Sequence, residues 1–126
     1  MIGWLKRPRD PRHQLGVWGE EQAIRHLRRN GCRILERNWQ SPRGEIDLIA
    51  ERKGEILFVE VKTRASDAYG APDEAVGEDK QARIREAARA YLGLFRRAPE
   101  STSFNIIGVT LNDKGKPEIS WQRGAF

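Results

Sequence analysis

Charged side chains interrupt two apolar runs within residues 44–64, and this segment constrains the fold more than any other part of the chain. Its sequence is GEIDLIAERKGEILFVEVKTR. The apolar runs at 46–50 and 56–61 are rich in Ile, Leu and Val, and the tetrapeptide at 52–55 between them is typical of a turn. The pattern therefore predicts a β-hairpin that carries carboxylates and a lysine where apolar residues are expected.

A two-residue loop at 53–54 fixes which residues of the two strands face each other. One face is then apolar and pairs Ile46 with Val61, Leu48 with Val59 and Ala50 with Leu57. The other face sets Asp47 opposite Glu60 and Glu45 opposite Lys62. Like charges opposed across a strand pair, with Cβ atoms roughly 4.5–5.5 Å apart, destabilise a sheet, so the two acids require a compensating group.

A divalent cation held between Asp47 and Glu60 is the compensation that we favour, because Mg²⁺ takes oxygen ligands from one or two carboxylates. The alternative is a solvated strand end that carries ordinary pairs of acids with lysine. The hairpin alone fits both hypotheses. A bulged loop would shift the pairing by one residue and move Asp47 away from Glu60.

Length and charge narrow the class of protein. The chain has 126 residues, enough for one domain with its own core, which we assign to residues 15–126. Residues 1–14 carry two prolines and several basic side chains without periodicity, which indicates a mobile basic arm. The net charge is +5, and 17 of the 23 basic residues are arginines, which favour bidentate contacts with phosphate. This balance is compatible with nucleic acid, an anionic membrane surface or simple solubility.

Cysteine content and hydropathy exclude several other classes. Cys32 is the only cysteine, so there is no intramolecular disulfide and no cysteine-based zinc site. No apolar run approaches the roughly 18–20 residues that span a bilayer, and the N-terminus lacks the apolar stretch of a secretory signal. We therefore expect a cytoplasmic protein with no membrane partner.

The remaining elements follow from hydrophobic periodicity and from turn residues. They are, in order, a helix from about Leu15 to Asn30, a strand at Cys32–Trp39, the two hairpin strands, a helix from about Glu78 to Arg96, and strands at Phe104–Leu111 and Glu118–Trp121. The loop at 63–78 is long enough to suggest a function or mobility. The order αβββαββ predicts an α/β sandwich with a central mixed sheet flanked by helices.

Glu20 is a third acid in an unexpected place. At 100° per residue it falls between Ile24 and Leu27, in the middle of the apolar stripe of the first predicted helix. Burial of a lone charge is costly, so a partner is implied. Glu20 either stabilises the helix start or reaches an arginine such as Arg43, or it completes the site of Asp47 and Glu60 from the packed helix.

The chain resembles the PD-(D/E)XK nuclease superfamily in the order of its motif residues: a helical Glu20, then Asp47, then Glu60-Val61-Lys62. The restriction-endonuclease-like core of this superfamily also occurs in Holliday-junction resolvases. The blocks that resemble one family more closely are GEEQA at 19–23, GEIDLIA at 44–50 and FVEVKTR at 58–64, with Pro72, Ala75-Val76, Lys80 and the final Ala125-Phe126. They are similar to the YraN-type family of uncharacterised predicted endonucleases, over about residues 15–126. Two positions depart from the pattern: Ile46 stands in place of a proline, and Asn105 in place of an acid.

The resemblance implies a restriction-endonuclease-like fold and a set of site residues. Asp47 and Glu60 would bind Mg²⁺ or Mn²⁺ together with the Val61 carbonyl, and Glu20 would assist directly or through water. Lys62 would lie beside the attacking water. Metal and ammonium would together stabilise the charge that grows during phosphodiester hydrolysis.

Further charged residues are candidates for supporting roles. Glu45 would orient Lys62, or would form an ordinary surface ion pair with it. Candidate phosphate contacts are Arg43, Arg64, Lys80 and Arg83, with ordinary solvated charge as the alternative.

The expected function is metal-dependent cleavage of DNA, with branched or junction DNA as the substrate that the resemblance implies. A four-way junction needs two symmetric cuts, so this substrate implies a homodimer. The first alternative is a nucleic-acid-binding module that keeps the fold with little or no turnover. The second is a purely structural or protein-interaction domain.

Overall fold

A five-stranded sheet with one helix packed on each face forms the core of the protein. A computed structural model describes residues 11–65 and 76–126. Its elements are α1 Pro11–Arg29, β1 Arg33–Ser41, β2 Gly44–Arg52, β3 Glu55–Arg64, α2 Glu78–Leu92, β4 Ser101–Leu111 and β5 Pro117–Gln122. This αβββαββ order confirms the predicted restriction-endonuclease-like sandwich.

The sheet keeps its strands in chain order, from β1 at one edge to β5 at the other. All neighbouring strands are antiparallel except β3 and β4, which run parallel because α2 lies in the connection between them. The predicted mixed sheet is therefore confirmed. Helix α1 packs on one face through Ala23, Ile24 and Leu27, and α2 packs on the other through Ile84, Ala87, Ala88 and Tyr91.

Both helices differ from their predicted bounds. Helix α1 begins at Pro11, so residues 11–14 of the predicted arm are helical, because proline is well tolerated in the first turn of a helix. Residues 1–10 of that arm lie outside the described part of the chain. Helix α2 ends at Leu92 rather than Arg96, since it meets Gly93, a poor helix former. None of the helices within the described residues is long and apolar enough to cross a membrane.

The register of the β2–β3 hairpin is the predicted one over the paired segment, which runs from Leu48 opposite Val59 to Arg52 opposite Glu55. Lys53 and Gly54 form the two-residue loop, with φ angles of 50° and 81°. Positive φ at both central positions matches the right-handed twist of the flanking strands. Pairing with β2 ends at Val59, and β3 continues beside β4 to Arg64.

One feature of the hairpin was predicted wrongly. Leu48 packs on the α1 side, but Ile46, which was predicted to share its face, belongs to the apolar cluster on the α2 side. The neighbouring strand changes face at the same level, because Asn38 adopts a positive φ of 51° and Trp39, which pairs with Ile46, also packs on the α2 side. Side chains along β2 therefore do not alternate strictly between the two faces of the sheet: Ile46 and Leu48, on either side of Asp47, pack on opposite faces.

Helix α1 approaches β3 very closely at Gly19. A Cβ atom added to Gly19 would lie 2.0 Å from Thr63 Oγ1 and 2.8 Å from Thr63 Cβ. Glycine is therefore required here by the contact between helix and strand. Gly16, one turn earlier, has nothing within 4 Å of its added Cβ and serves as a matched control.

We expect Gly19→Ala to lower the free energy of unfolding by about 1–3 kcal/mol, because the new methyl group forces the helix away from the strand. Gly16→Ala should be neutral or stabilising, since alanine is favoured over glycine in helices by about 1 kcal/mol. Urea denaturation followed by circular dichroism measures both. Thr63→Ala should rescue part of the loss in Gly19→Ala, and equal stability of the two glycine variants would contradict the close contact.

Candidate active site

The candidate site lies where β2 and β3 stop pairing. Leu48 and Val59 are the last residues that pair between the two strands. The next residue on each strand beyond this pair is an acid, Asp47 on β2 and Glu60 on β3. Asp47 Oδ2 accepts a hydrogen bond from the backbone N–H of Val61 at 2.8 Å. The Asp47 side chain thus satisfies an N–H group of β3 at the point where the two backbones separate.

The surroundings of Asp47 raise the pKa of its carboxyl group to about 7. Burial is the largest cause, and the negative charge of Glu60 and a hydrogen bond between the two side chains act in the same direction. The N–H of Val61 and the charge of Lys80 favour the ionised form and oppose the shift. Asp47 and Glu60 therefore form an acid pair with one buried and one partly buried member, in which each negative charge disfavours the other.

Lys80, from the first turn of α2, supplies the cation beside this pair. Its Nζ lies 2.7 Å from Glu60 Oε1. The Glu60 side chain is 9% exposed whereas that of Lys80 is 46% exposed, so the ion pair has one buried end and one solvated end. The sequence predicted Lys80 as a phosphate contact and gave no sign of its contact with an acid.

A pocket of about 380 Å³ opens beside Asp47 on the α1 side. It is lined by Leu15, Gly16, Glu20, Asp47, Val61 and Thr63. Glu20 reaches it from α1, partly buried, and its Oε1 accepts a hydrogen bond from Asn38 Nδ2 at 3.1 Å. The partner that the position of Glu20 implied is therefore Asn38 rather than Arg43.

Glu20 shares the pocket with Asp47 but does not complete a three-acid cluster. Over residues 11–65 and 76–126, no three His, Cys, Asp or Glu side chains lie close enough together to hold a metal ion. The role that the resemblance implies for Glu20, as a ligand either directly or through water, stays a prediction.

Lys62 and Val61 follow Glu60 on β3. Lys62 is partly buried and lies two residues beyond Glu60, which puts both side chains on the same face of the strand. Val61 lines the pocket on the opposite face. The acids and the lysine of the motif thus border the end of the paired segment of β2 and β3.

The other predicted basic residues lie around the α2 side of this region. Arg43 is exposed in the turn between β1 and β2. A Cβ atom added to the next residue, Gly44, would lie 2.8 Å from the carbonyl oxygen of Arg83 in α2, so this turn and this helix are in contact. Arg64 is partly buried at the end of β3, and Glu45 is exposed on β2, where its backbone pairs with β1.

Two asparagines have roles that the sequence analysis did not assign. Asn38 donates a hydrogen bond to Glu20. In the sequence, Asn38 is only a polar residue within a predicted strand, although asparagine is a residue type that tolerates the positive φ found here. Asn105, where the resemblance led us to expect an acid, is buried in β4, accepts a hydrogen bond from Trp121 Nε1 at 3.1 Å and donates one to Ser103 Oγ at 2.9 Å. The amide is therefore a satisfied part of the core.

The fold and the acid pair at the end of the β2–β3 pairing together define a restriction-endonuclease-like α/β protein. The chain belongs to the uncharacterised protein family UPF0102, whose model matches residues 19–109. This result agrees with the YraN-type resemblance of its motifs.

Relatives of this family match almost end to end. A UPF0102 protein of Syntrophotalea carbinolica is 46% identical over 115 residues, which cover 91% of this chain and 93% of the relative. One from Syntrophomonas wolfei is 42% identical over 113 residues, covering 90% and 97%. Among solved structures, Pyrococcus furiosus SfsA in complex with Ca²⁺ aligns with 90% of this chain and 63% of its own, at 16% identity and a TM-score of 0.34, a likeness too slight to support any conclusion.

The raised pKa of Asp47 predicts a pH-dependent cost to folding. The carboxyl group ionises at about 7 in the folded protein against an ordinary value of 3.8, so the folded state holds an extra proton between these values and loses stability as pH rises through them. Without divalent cations, Asp47→Asn should therefore raise the free energy of unfolding at pH 8, by on the order of 2–4 kcal/mol. The gain should fade by pH 4, below about the unfolded pKa.

Urea denaturation across this pH range measures the effect, and Asp113→Asn, in the exposed β4–β5 turn, is the matched control. A gain at pH 8 of the same size in both variants would contradict the assignment of this cost to the Asp47–Glu60 pair.

Proposed function

We propose that this protein is a Mg²⁺- or Mn²⁺-dependent endonuclease that hydrolyses phosphodiester bonds in DNA. The observation that carries the proposal is the Asp47–Glu60 pair, two neighbouring acids of which Glu60 is buried and Asp47 partly buried. Such a pair is a cost to folding rather than a source of stability. Its oxygen atoms are, however, the ligands that hard divalent cations prefer.

The residues present suit such a cation. Asp47 and Glu60 would hold it, the Val61 carbonyl would be a further ligand, and Glu20 would contribute through water. A bound Mg²⁺ or Mn²⁺ would supply an activated water and neutralise charge on the phosphate.

The chain's own groups would position the substrate and stabilise its charge. Lys62, on the face of β3 that carries Glu60, would direct its ammonium group at the phosphate oxygens, where negative charge increases in the transition state. Exposed Glu45 would orient Lys62. The Val61 N–H fixes the Asp47 carboxylate, so that this acid does not have to reorganise during the reaction.

Basic side chains next to the acid pair would guide the DNA backbone. Arg43, Lys80 and Arg83 are exposed on the α2 side, and Arg64 lies at the end of β3. Contacts of this type position a nucleic acid without reading its sequence. Branched or junction DNA, cut by a homodimer, is the substrate that we favour, since it requires recognition of shape rather than of base sequence.

The second candidate is a nucleic-acid-binding module without turnover. It is favoured by one observation: Lys80 gives Glu60 a cationic partner from within the chain. In this case the same basic residues would bind phosphate, but the acid pair would take up no cation.

Cleavage of fluorescent branched, duplex and single-stranded DNA with Mg²⁺ or Mn²⁺ tests the proposal. We expect Asp47→Ala and Lys62→Ala each to lower the rate by about 100-fold or more, because each removes a group that stabilises transition-state charge. Lys53→Ala, which removes an exposed lysine in the distant hairpin turn, should cleave like the wild type.

Equal cleavage by the wild type and by Asp47→Ala and Lys62→Ala would exclude this site. Salt-dependent DNA binding without cleavage in either cation would favour the binding module.

A further inference from the structure

We propose that Lys80 is a resident counter-ion of the acid pair, which a divalent cation displaces from Glu60, and that the released ammonium group then contacts a DNA phosphate. This inference rests on the proposed function and deepens it. It assigns Lys80 a positioning role that is coupled to metal binding.

The geometry of the ion pair suits an exchange. Lys80 Nζ lies 2.7 Å from Glu60 Oε1, within hydrogen-bonding distance of an oxygen that the proposed cation would also use. The Glu60 end is 9% exposed and sits on a central strand, whereas the Lys80 side chain is 46% exposed. Lysine carries its charge on a flexible stem with a well-hydrated ammonium group, so Lys80 can return to solvent while Glu60 stays in place.

Charge also favours the exchange. Asp47 and Glu60 offer two carboxylates, whereas the ammonium group of Lys80 carries one positive charge. A divalent cation would compensate both. Once it is bound, it would repel the ammonium group of Lys80 at short range, so the two cations would compete for Glu60.

The position of Lys80 in the fold determines where its ammonium group would go. Lys80 and Arg83 lie three residues apart in α2 and are therefore neighbours on its surface. The backbone of Arg83 packs against Gly44, next to Arg43. A released Lys80 would join these two arginines beside the acid pair and add a third cation for the phosphate backbone.

Calorimetric titration with Mn²⁺ tests the exchange directly. Lys80→Ala should bind Mn²⁺ more tightly than the wild type, by about 3- to 10-fold, because the competing cation is gone. Lys80→Arg should bind more weakly, since a guanidinium group holds a carboxylate in a bidentate manner. Lys53→Ala removes the same charge far from the site and should change the affinity less than twofold, by about the size of a screened surface effect.

Thermal unfolding separates this role from a purely structural one. Without Mn²⁺, Lys80→Ala should melt below the wild type, because Glu60 has lost its partner. With saturating Mn²⁺ the difference should vanish, since the pair is already broken in the metal-bound wild type. A structural tie between α2 and the sheet would instead cost the same stability in both conditions. Lys80→Gln, which keeps a hydrogen-bond donor, provides the same comparison if Lys80→Ala fails to fold.

Duplex DNA binding as a function of salt tests the second half of the proposal, with Ca²⁺ as the divalent cation. Without a divalent cation, the wild type and Lys80→Ala should show the same slope of log affinity against log salt. With Ca²⁺, the wild-type slope should be steeper than that of Lys80→Ala by about 0.9, the value for one additional phosphate contact. Equal slopes in both conditions would contradict release to phosphate.

The outcomes distinguish the two proposals. No Mn²⁺ binding by the wild type or by either neutral Lys80 variant would contradict the proposed function itself. Mn²⁺ binding of equal strength by the wild type and these variants would contradict the exchange alone. Binding by the neutral variants only would contradict displacement of Lys80 by the metal in the wild type.

Discussion

The hydrogen bond from the Val61 N–H to the Asp47 carboxylate is the interaction on which the site depends. A strand that separates from its neighbour leaves backbone groups that need partners, and in a sheet interior an unpartnered N–H is costly. Asp47 supplies that partner from its side chain. The strands can therefore separate inside the sheet, and the same bond fixes a carboxylate at the point of separation, beside Glu60 on the next strand.

The two helices then supply different chemistry from opposite faces of the sheet. Helix α1 comes close to β3 because Gly19 has no side chain, and this brings Glu20 to the pocket beside Asp47. Helix α2 starts near the opposite side of the acid pair and places Lys80 on Glu60. The parallel pairing of β3 with β4 requires a crossover connection between them, and this crossover contains α2. The topology of the sheet thus determines that Glu20 approaches the acid pair from the α1 side and Lys80 from the α2 side.

Local patterns were enough to predict the order of elements and the hairpin register, because periodicity and a two-residue loop act over a few residues. The face of the sheet on which Ile46 packs was predicted wrongly. The change of face is linked to the positive φ of Asn38, which hydrophobic periodicity does not predict. The contact of Lys80 with Glu60 joins residues from two elements through a long connection. Such a contact is determined by how α2 packs on the sheet, and single-sequence periodicity contains no information on it.

The acid pair differs from the other polar groups of the core in how its members are satisfied. The Asn105 network shows how this protein satisfies a buried polar group that serves packing: its amide has both a donor and an acceptor partner, and it carries no charge. Asp47 and Glu60 are different, because two acids lie together, one buried and one partly buried, and Lys80, which pairs with Glu60, is half exposed. A pair buried for stability alone would be replaced without loss by apolar residues of similar volume. The divalent cation that we propose would offset the repulsion between the two acids.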